Sequence, residues 1–278
     1  MVTPDVRDLV ARALAEDIGH GDLTTRLAIP AEAQGLGVFL AKQSGVLSGL
    51  YVAEECFRQV DPRVQFAALV AEGQEFANGD HLATVEGPAA SLLTAERVAL
   101  NFLQRLCGTA TLTREFVNRI SGTRARIVDT RKTTPGMRVL EKAAVRAGGG
   151  SNHRFALYDG ILLKDNHIAI AGGVSQAVTA ALAGAPHTVK VEVEVTSLQQ
   201  LSEAMAAGAD IALLDNMAVN DMEQAVALGA GRIVLEASGG VTLETVAQIA
   251  ETGVDLISVG ALTHSATAVD ISLELSSV

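Results

Sequence analysis

The sequence predicts an α/β protein in two parts, a glycine-punctuated β-rich segment with helices followed by a β-α repeat of the kind that forms a parallel barrel. The repeat rests on spacing. Strand-like apolar runs occur at 125–129, 160–163, 188–195, 211–214, 232–235 and 256–259, and helix-length, alanine-rich intervals separate the last four. The polar or glycine residues marking the exits of those four are Glu194, Asp215, Ser238 and Gly260, at steps of 21, 23 and 22 residues, the period of one β-α unit. All six runs also end in polar chemistry (DTRK, KDNH, EVT, DN, EASGG and GALTH), and the carboxyl ends of barrel strands are where function sits.

The elements follow in order. Residues 5–16 place Val6, Leu9, Val10 and Leu14 at helical spacing, and the glycine-rich DIGHGD ends that helix. From 33 to 86 short apolar runs are broken by glycines, with near-alternation in HLATVEG and one helix expected over 52–59. The segment GQEFANGDHLATVEG resembles a biotin or lipoate carrier half-barrel, but it lacks the hairpin-tip lysine that would receive the cofactor. A helix over 91–107 aligns Leu93, Leu100, Leu103 and Cys107, with Arg97 on the same stripe. Such a guanidinium either snorkels to solvent or emerges at an anion site on another domain or subunit.

Charge bounds the function. The chain has 278 residues, 49% of them hydrophobic, and a formal net charge of −11. Yet eight Lys or Arg residues lie between Arg124 and Arg154 against two acids, Asp129 and Glu141. A local positive field on a negative molecule suits a small anionic ligand and excludes a nucleic acid, which the remaining surface would repel. Arg138, Lys142 and Arg146, four residues apart, read as the solvated face of a helix, whereas Arg131, Lys132 and Arg154 fall outside regular spacing. No apolar run approaches a membrane span, and the charged N-terminus is unlike a secretory signal, so the expected location is the cytoplasm. Cys56 and Cys107 provide no disulfide framework and are expected to be small buried hydrophobes.

Within KVEVEV, Lys190, Glu192 and Glu194 share the face expected to point into the barrel, where charge needs a partner or a ligand. Lys190 with Glu192 is the expected structural pair, leaving Glu194 nearest the mouth as the functional acid. Two glycine-bearing exits, EASGG and VGALTH, come last in barrel order, where turn amides commonly hold a phosphate. Lys164 at a strand end admits a Schiff base, but Asp165 beside it favours the charged form. His153 is read as an anion-binding group and His167 as an orienting one. No histidine or cysteine spacing suggests zinc.

Together the segments TAERVALNFLQRLCGTAT, DTRKTTPGMRVLEKAAVRAGGGSNHR, LLKDNH, VEVEV, LLDN, EASGG and VGALTH resemble the quinolinate phosphoribosyltransferase family over nearly the whole chain. The resemblance implies an N-terminal open α/β sandwich over 1–108, joined by 268–278, and a C-terminal incomplete parallel β/α barrel over 109–267, TIM-like and of phosphoribosyltransferase type II. It implies a homodimer, or a larger assembly of such dimers, in which each sandwich covers the partner's barrel and supplies Arg97. The implied reaction joins quinolinate to 5-phosphoribosyl-1-pyrophosphate, releasing pyrophosphate and carbon dioxide and forming nicotinate mononucleotide for NAD synthesis, with magnesium required. By similarity Arg97, Thr130, Arg131, Lys132, His153, Arg154 and Lys164 bind quinolinate. Ser238, Gly239, Gly240, Gly260, Ala261, Leu262 and His264, with Glu194 and Asp215, hold the phosphoribosyl donor. Lys132, Lys164, Glu194 and Asp215 carry the catalysis, and the last two hold magnesium directly or through substrate or water. A related pyrophosphorylase-like enzyme acting on another small anionic base, and a non-catalytic sensor of phosphoribosyl ligands, are the alternative readings.

Overall fold

The computed structural model describes residues 2–277. In chain order its first elements are α1 (Pro4–Ile18), α2 (Leu23–Ala28), β1 (Gln34–Ala41), β2 (Gly45–Val46), α3 (Leu50–Val60), β3 (Gln65–Ala68), β4 (Glu75–Phe76), β5 (His81–Pro88) and α4 (Ala89–Arg119). There follow β6 (Arg126–Val128), α5 (Arg138–Ala147), β7 (Ile161–Leu163), α6 (Asp165–Ala171), α7 (Val174–Gly184), β8 (Val191–Val195), α8 (Leu198–Ala207) and β9 (Ile211–Asp215). The last are α9 (Val219–Gly229), β10 (Val234–Ser238), α10 (Val246–Glu251), β11 (Leu256–Ser258), α11 (Ala261–His264) and β12 (Ile271–Ser277). No single helix among the described residues is long and apolar enough to cross a membrane.

The chain divides into two compact units. The first holds the residues up to Arg114, Thr134–Gly149 and those from Ser265 onward; the second holds Glu115–Thr133 and Gly150–His264. The boundary expected near residue 108 therefore falls inside α4, and α5 belongs to the first unit.

The first unit is built on an antiparallel sheet in the order β12-β1-β5-β3, so the last strand of the chain pairs with the first. Alternation in β1 buries Phe39 and Ala41, and Phe39 meets Phe57 of α3 edge-on at 6.0 Å, a favourable aromatic geometry. Helix α1 adds Val6, Val10 and Leu14 to the same core. Cys56 and Cys107 are both free and buried, and burial pushes each thiol up to about 12.

Two sequence expectations are corrected here. Of the stripe expected on α4, Leu100, Leu103 and Cys107 are buried, and Leu92, Ala95, Ala99, Leu106 and Ala110 are buried with them. Arg97 lies off the buried face, with its side chain 60% exposed in the single chain, the solvent-reaching one of the two alternatives. On α5 the expected solvated face fails at Lys142, which is only 2% exposed, while Arg146 is exposed; Glu141, beside Lys142, is fully buried. Glu141 accepts from the Thr134 amide at 3.0 Å and meets Arg105 at 3.6 Å, all within the first unit.

The second unit is a six-stranded parallel sheet in the order β6-β11-β10-β9-β8-β7, two strands short of an eightfold barrel. All six strands overlap their predicted runs, but β8 begins three residues later than predicted, which leaves Lys190 outside it. β10 begins two residues late and continues through Ser238, because Glu236, Ala237 and Ser238 pair in register with Leu213, Leu214 and Asp215 of β9. Glu236 is therefore an inward-facing strand residue.

Candidate active site

The strand exits of the second unit surround a cleft of about 520 Å³. Each wall has a local cause. Helix α6 starts directly after β7, with the His167 ring accepting the Lys164 amide at 3.0 Å, which fixes the strand-to-helix turn that presents Lys164. The Thr130 hydroxyl accepts the Lys132 amide at 3.0 Å, and the Thr263 hydroxyl donates to the Lys132 carbonyl at 2.8 Å, so the DTRK turn is tied to the last exit. At the other glycine exit Gly239 has φ of 92° and Asn216 lies where a Cβ would be, so only glycine fits.

The cleft gathers Thr130, Arg131, Lys132, His153, Arg154 and Lys164 on its cationic side. Glu194 and Asp215 line it at the ends of neighbouring strands, and Ser238, Gly239, Gly240, Gly260, Ala261 and His264 line the two turns. Leu262 does not line it: its side chain is buried in the protein. Arg97 belongs to the first unit and lies 4.0 Å from Glu96.

Electrostatics sharpen the picture. Burial raises the Glu194 carboxyl above its ordinary range, and the neighbouring Asp215 raises it further, while Lys164 opposes both. Burial and the nearby Arg131 lower the Arg154 guanidinium, with Glu192 and Asp159 opposing. The Nε atoms of Arg131 and Arg154 are buried with no hydrogen-bond partner among the described residues. Cations crowded together and incompletely satisfied are poised for an anion.

Sequence reasoning missed the residues beneath this cleft. Glu192 does not pair with Lys190, which is exposed and precedes β8; its Oε2 accepts from His153 Nε2 at 3.0 Å. His153 Nδ1 in turn accepts the Arg154 amide at 2.7 Å, so the fold orients the ring through both nitrogens while the ring lines the cleft. Asp129, fully buried, accepts from Asn152 at 2.6 Å and from the His153 amide at 2.8 Å, which shapes the NHR turn. Glu236 lines the cleft at 1% exposure. The signal was present: Glu236 stands two residues before Ser238 as Glu192 stands two before Glu194, one inward layer deeper.

An incomplete parallel barrel whose strand exits hold a cationic wall, two adjacent acids and two glycine turns defines a protein that handles small phosphorylated and carboxylated anions. The family described as quinolinate phosphoribosyl transferase matches this chain twice, its N-terminal domain over residues 22–107 and its C-terminal domain over 109–274. A probable carboxylating nicotinate-nucleotide pyrophosphorylase of Bacillus subtilis (strain 168) is 45% identical over 270 residues, covering 97% of this chain and 93% of its own. A carboxylating nicotinate-nucleotide pyrophosphorylase of Mycobacterium leprae (strain TN) is 44% identical over 277 residues, covering 97% and 96%. Among solved structures, NadC from Streptococcus pyogenes superposes with a TM-score of 0.96 at 43% identity, covering 100% of this chain and 99% of its own. The chain belongs to the quinolinate phosphoribosyltransferase family.

Proposed function

We propose that this cleft joins quinolinate to 5-phosphoribosyl-1-pyrophosphate, giving nicotinate mononucleotide, pyrophosphate and carbon dioxide in NAD biosynthesis. The observation that carries the reading is the convergence of Arg131, Lys132, Arg154 and Lys164 with Glu194 and Asp215 and the two glycine turns around one cleft.

The chemistry follows from the charges. Quinolinate is a dianion, and the two guanidiniums with Lys164 neutralise its carboxylates while fixing the ring plane. The turns at Ser238–Gly240 and Gly260–Ala261 receive the donor's phosphate, and Glu194 and Asp215 hold its ribose. The ring nitrogen attacks the anomeric carbon as the bond to pyrophosphate breaks, and the adjacent carboxylates stabilise positive charge on the sugar. Once the nitrogen is quaternised, its charge stabilises the electron pair left on the adjacent ring carbon as that carbon's carboxylate departs as carbon dioxide, and a proton from solvent then bonds to that carbon to complete nicotinate mononucleotide. No covalent enzyme intermediate is needed; catalysis is positioning and electrostatics.

Magnesium is part of this proposal. Glu194 and Asp215 are two crowded oxygen donors, one already disfavoured as an anion, which a divalent cation would relieve, so the donor set fits. When bound, the ion supplies charge neutralisation to the departing pyrophosphate. We also propose a homodimer, in which the exposed Arg97 of one subunit completes the quinolinate site of the other, and a cytoplasmic location, in keeping with two unpaired thiols.

The test is incubation with quinolinate, the phosphoribosyl donor and magnesium. Donor-dependent release of carbon dioxide with equimolar nicotinate mononucleotide is the expected result, and binding of either substrate without release would remove the catalytic reading.

A further inference from the structure

A second cavity of about 350 Å³ lies at the amino ends of the barrel strands, lined by the first residues of four of them, Arg126, Ile161, Ile211 and Leu256. Three residues line both this cavity and the cleft above: His153, Arg154 and Glu236. They form the partition between the two spaces. Glu192 lines the lower one, and one oxygen from each glutamate and one His153 nitrogen lie within 4.8 Å of one another.

This partition carries an excess of acid with too few donors. His153 Nε2 is 3.0 Å from Glu192 and 3.8 Å from Glu236, so its one proton serves Glu192. Oε1 of Glu192 and Oε1 of Glu236 are both buried with no hydrogen-bond partner among the described residues. The groups acting on Glu236 are Glu192 from β8, His153 from the turn, Ser258 from β11 and Asp129 after β6; Arg154 lines both spaces with it, and Arg126, Asp159 and Lys190 line the lower one. Two of the acting groups are carboxylates, the His153 Nε2 proton lies nearer Glu192, Ser258 is the one neutral donor, and Arg154 is the cation that quinolinate itself needs. Two buried carboxylates at this separation are best satisfied by a proton rather than by a second charge.

We infer that Glu236 works as a neutral carboxylic acid beneath the quinolinate pocket, a positioning residue whose proton keeps the floor from repelling the dianion and leaves Arg131 and Arg154 free to bind it. Ionised, Glu236 would face the substrate's carboxylates across a water-poor partition and compete for Arg154. Burial first, then Glu192, raise its carboxyl to about 7, with His153 and Ser258 opposing, so the switch falls in the physiological range. The lower cavity gives the proton a route that does not pass the bound substrate. The inference rests on the quinolinate reading of the cleft.

Its consequence is proton uptake. Above about pH 7 quinolinate binding requires one proton, so the quinolinate KM of the wild-type dimer rises roughly tenfold per pH unit. Glu236→Gln keeps an uncharged donor of the same shape and is expected to flatten that rise to less than about twofold between about pH 6.5 and about pH 8.5. Ser258→Ala, a small buried change, removes a hydroxyl that favours the ionised acid and is expected to shift the alkaline limb to higher pH, which keeps the test open if the glutamine variant does not fold. An alkaline limb of unchanged slope and midpoint in the variants that fold would overturn the role of Glu236. A wild-type protein that never releases carbon dioxide from quinolinate would instead remove the functional reading itself.

Discussion

Glu194 and Asp215, at the carboxyl ends of the neighbouring strands β8 and β9, crowd each other: after burial, Asp215 is the strongest influence holding the Glu194 carboxyl above its ordinary range. Nature rarely places two acids so at a strand-end cleft without a cation to share. Asp215→Asn is therefore expected to weaken magnesium dependence and lower kcat by about 10²–10³-fold. Isothermal titration with magnesium in the presence of the phosphoribosyl donor, beside steady-state kinetics, checks both effects.

The guanidinium of Arg154 is half-buried, with its Nη1 donating to the Gly160 carbonyl at 3.0 Å and its Nε left unpaired among the described residues. A lysine cannot reproduce that planar fork. Arg154→Lys is expected to raise the quinolinate KM at least about tenfold while the KM for the donor changes little. A larger effect on the donor would place Arg154 on the wrong substrate.

At Gly239 a side chain would collide with Asn216 and force a φ of 92° on a residue that resists it. Gly239→Ala is expected to cost about 1–3 kcal/mol of stability and to raise the donor's KM, since the turn must shift. Thermal unfolding and donor kinetics measured on the same preparation separate the two.

Glu236 has a stability signature as well. Its carboxyl is raised from 4.5 to about 7, so its contribution is fully present below about pH 4.5 and is lost as pH rises through about 7. Relative to Glu236→Gln, the wild-type protein is expected to lose on the order of 3 kcal/mol across that window. Denaturant titrations at the two ends of it give the difference, and parallel curves would mean that Glu236 is not held neutral by the fold.

Much of this was legible in the sequence, and the reasons are physical. A β-α unit has a nearly fixed length, so the 21, 23 and 22 residue steps place the exits of β8 to β11 correctly, and polar residues at those exits cluster because parallel strands bring their ends together. Burial was harder to read. Arg97 shares helical spacing with Leu100, Leu103 and Cys107, which are buried, yet it is itself exposed, and Lys142 sits buried at a spacing that ordinarily marks a solvated face. Glu236 was lost because β10 extends farther than its apolar run, and inward acids deep in a barrel depend on partners such as His153 that are 83 residues away in the chain.

The most direct measurement is carbon dioxide release from carboxyl-labelled quinolinate by the wild-type protein and by the separately folded Arg131→Ala and Lys164→Ala variants, each with the phosphoribosyl donor and magnesium. Donor-dependent release by the wild type, reduced at least about a thousandfold in both variants with unchanged circular dichroism, is the predicted result. Equal turnover by all three proteins would contradict the claim that this cationic wall, set against Glu194 and Asp215, performs the reaction.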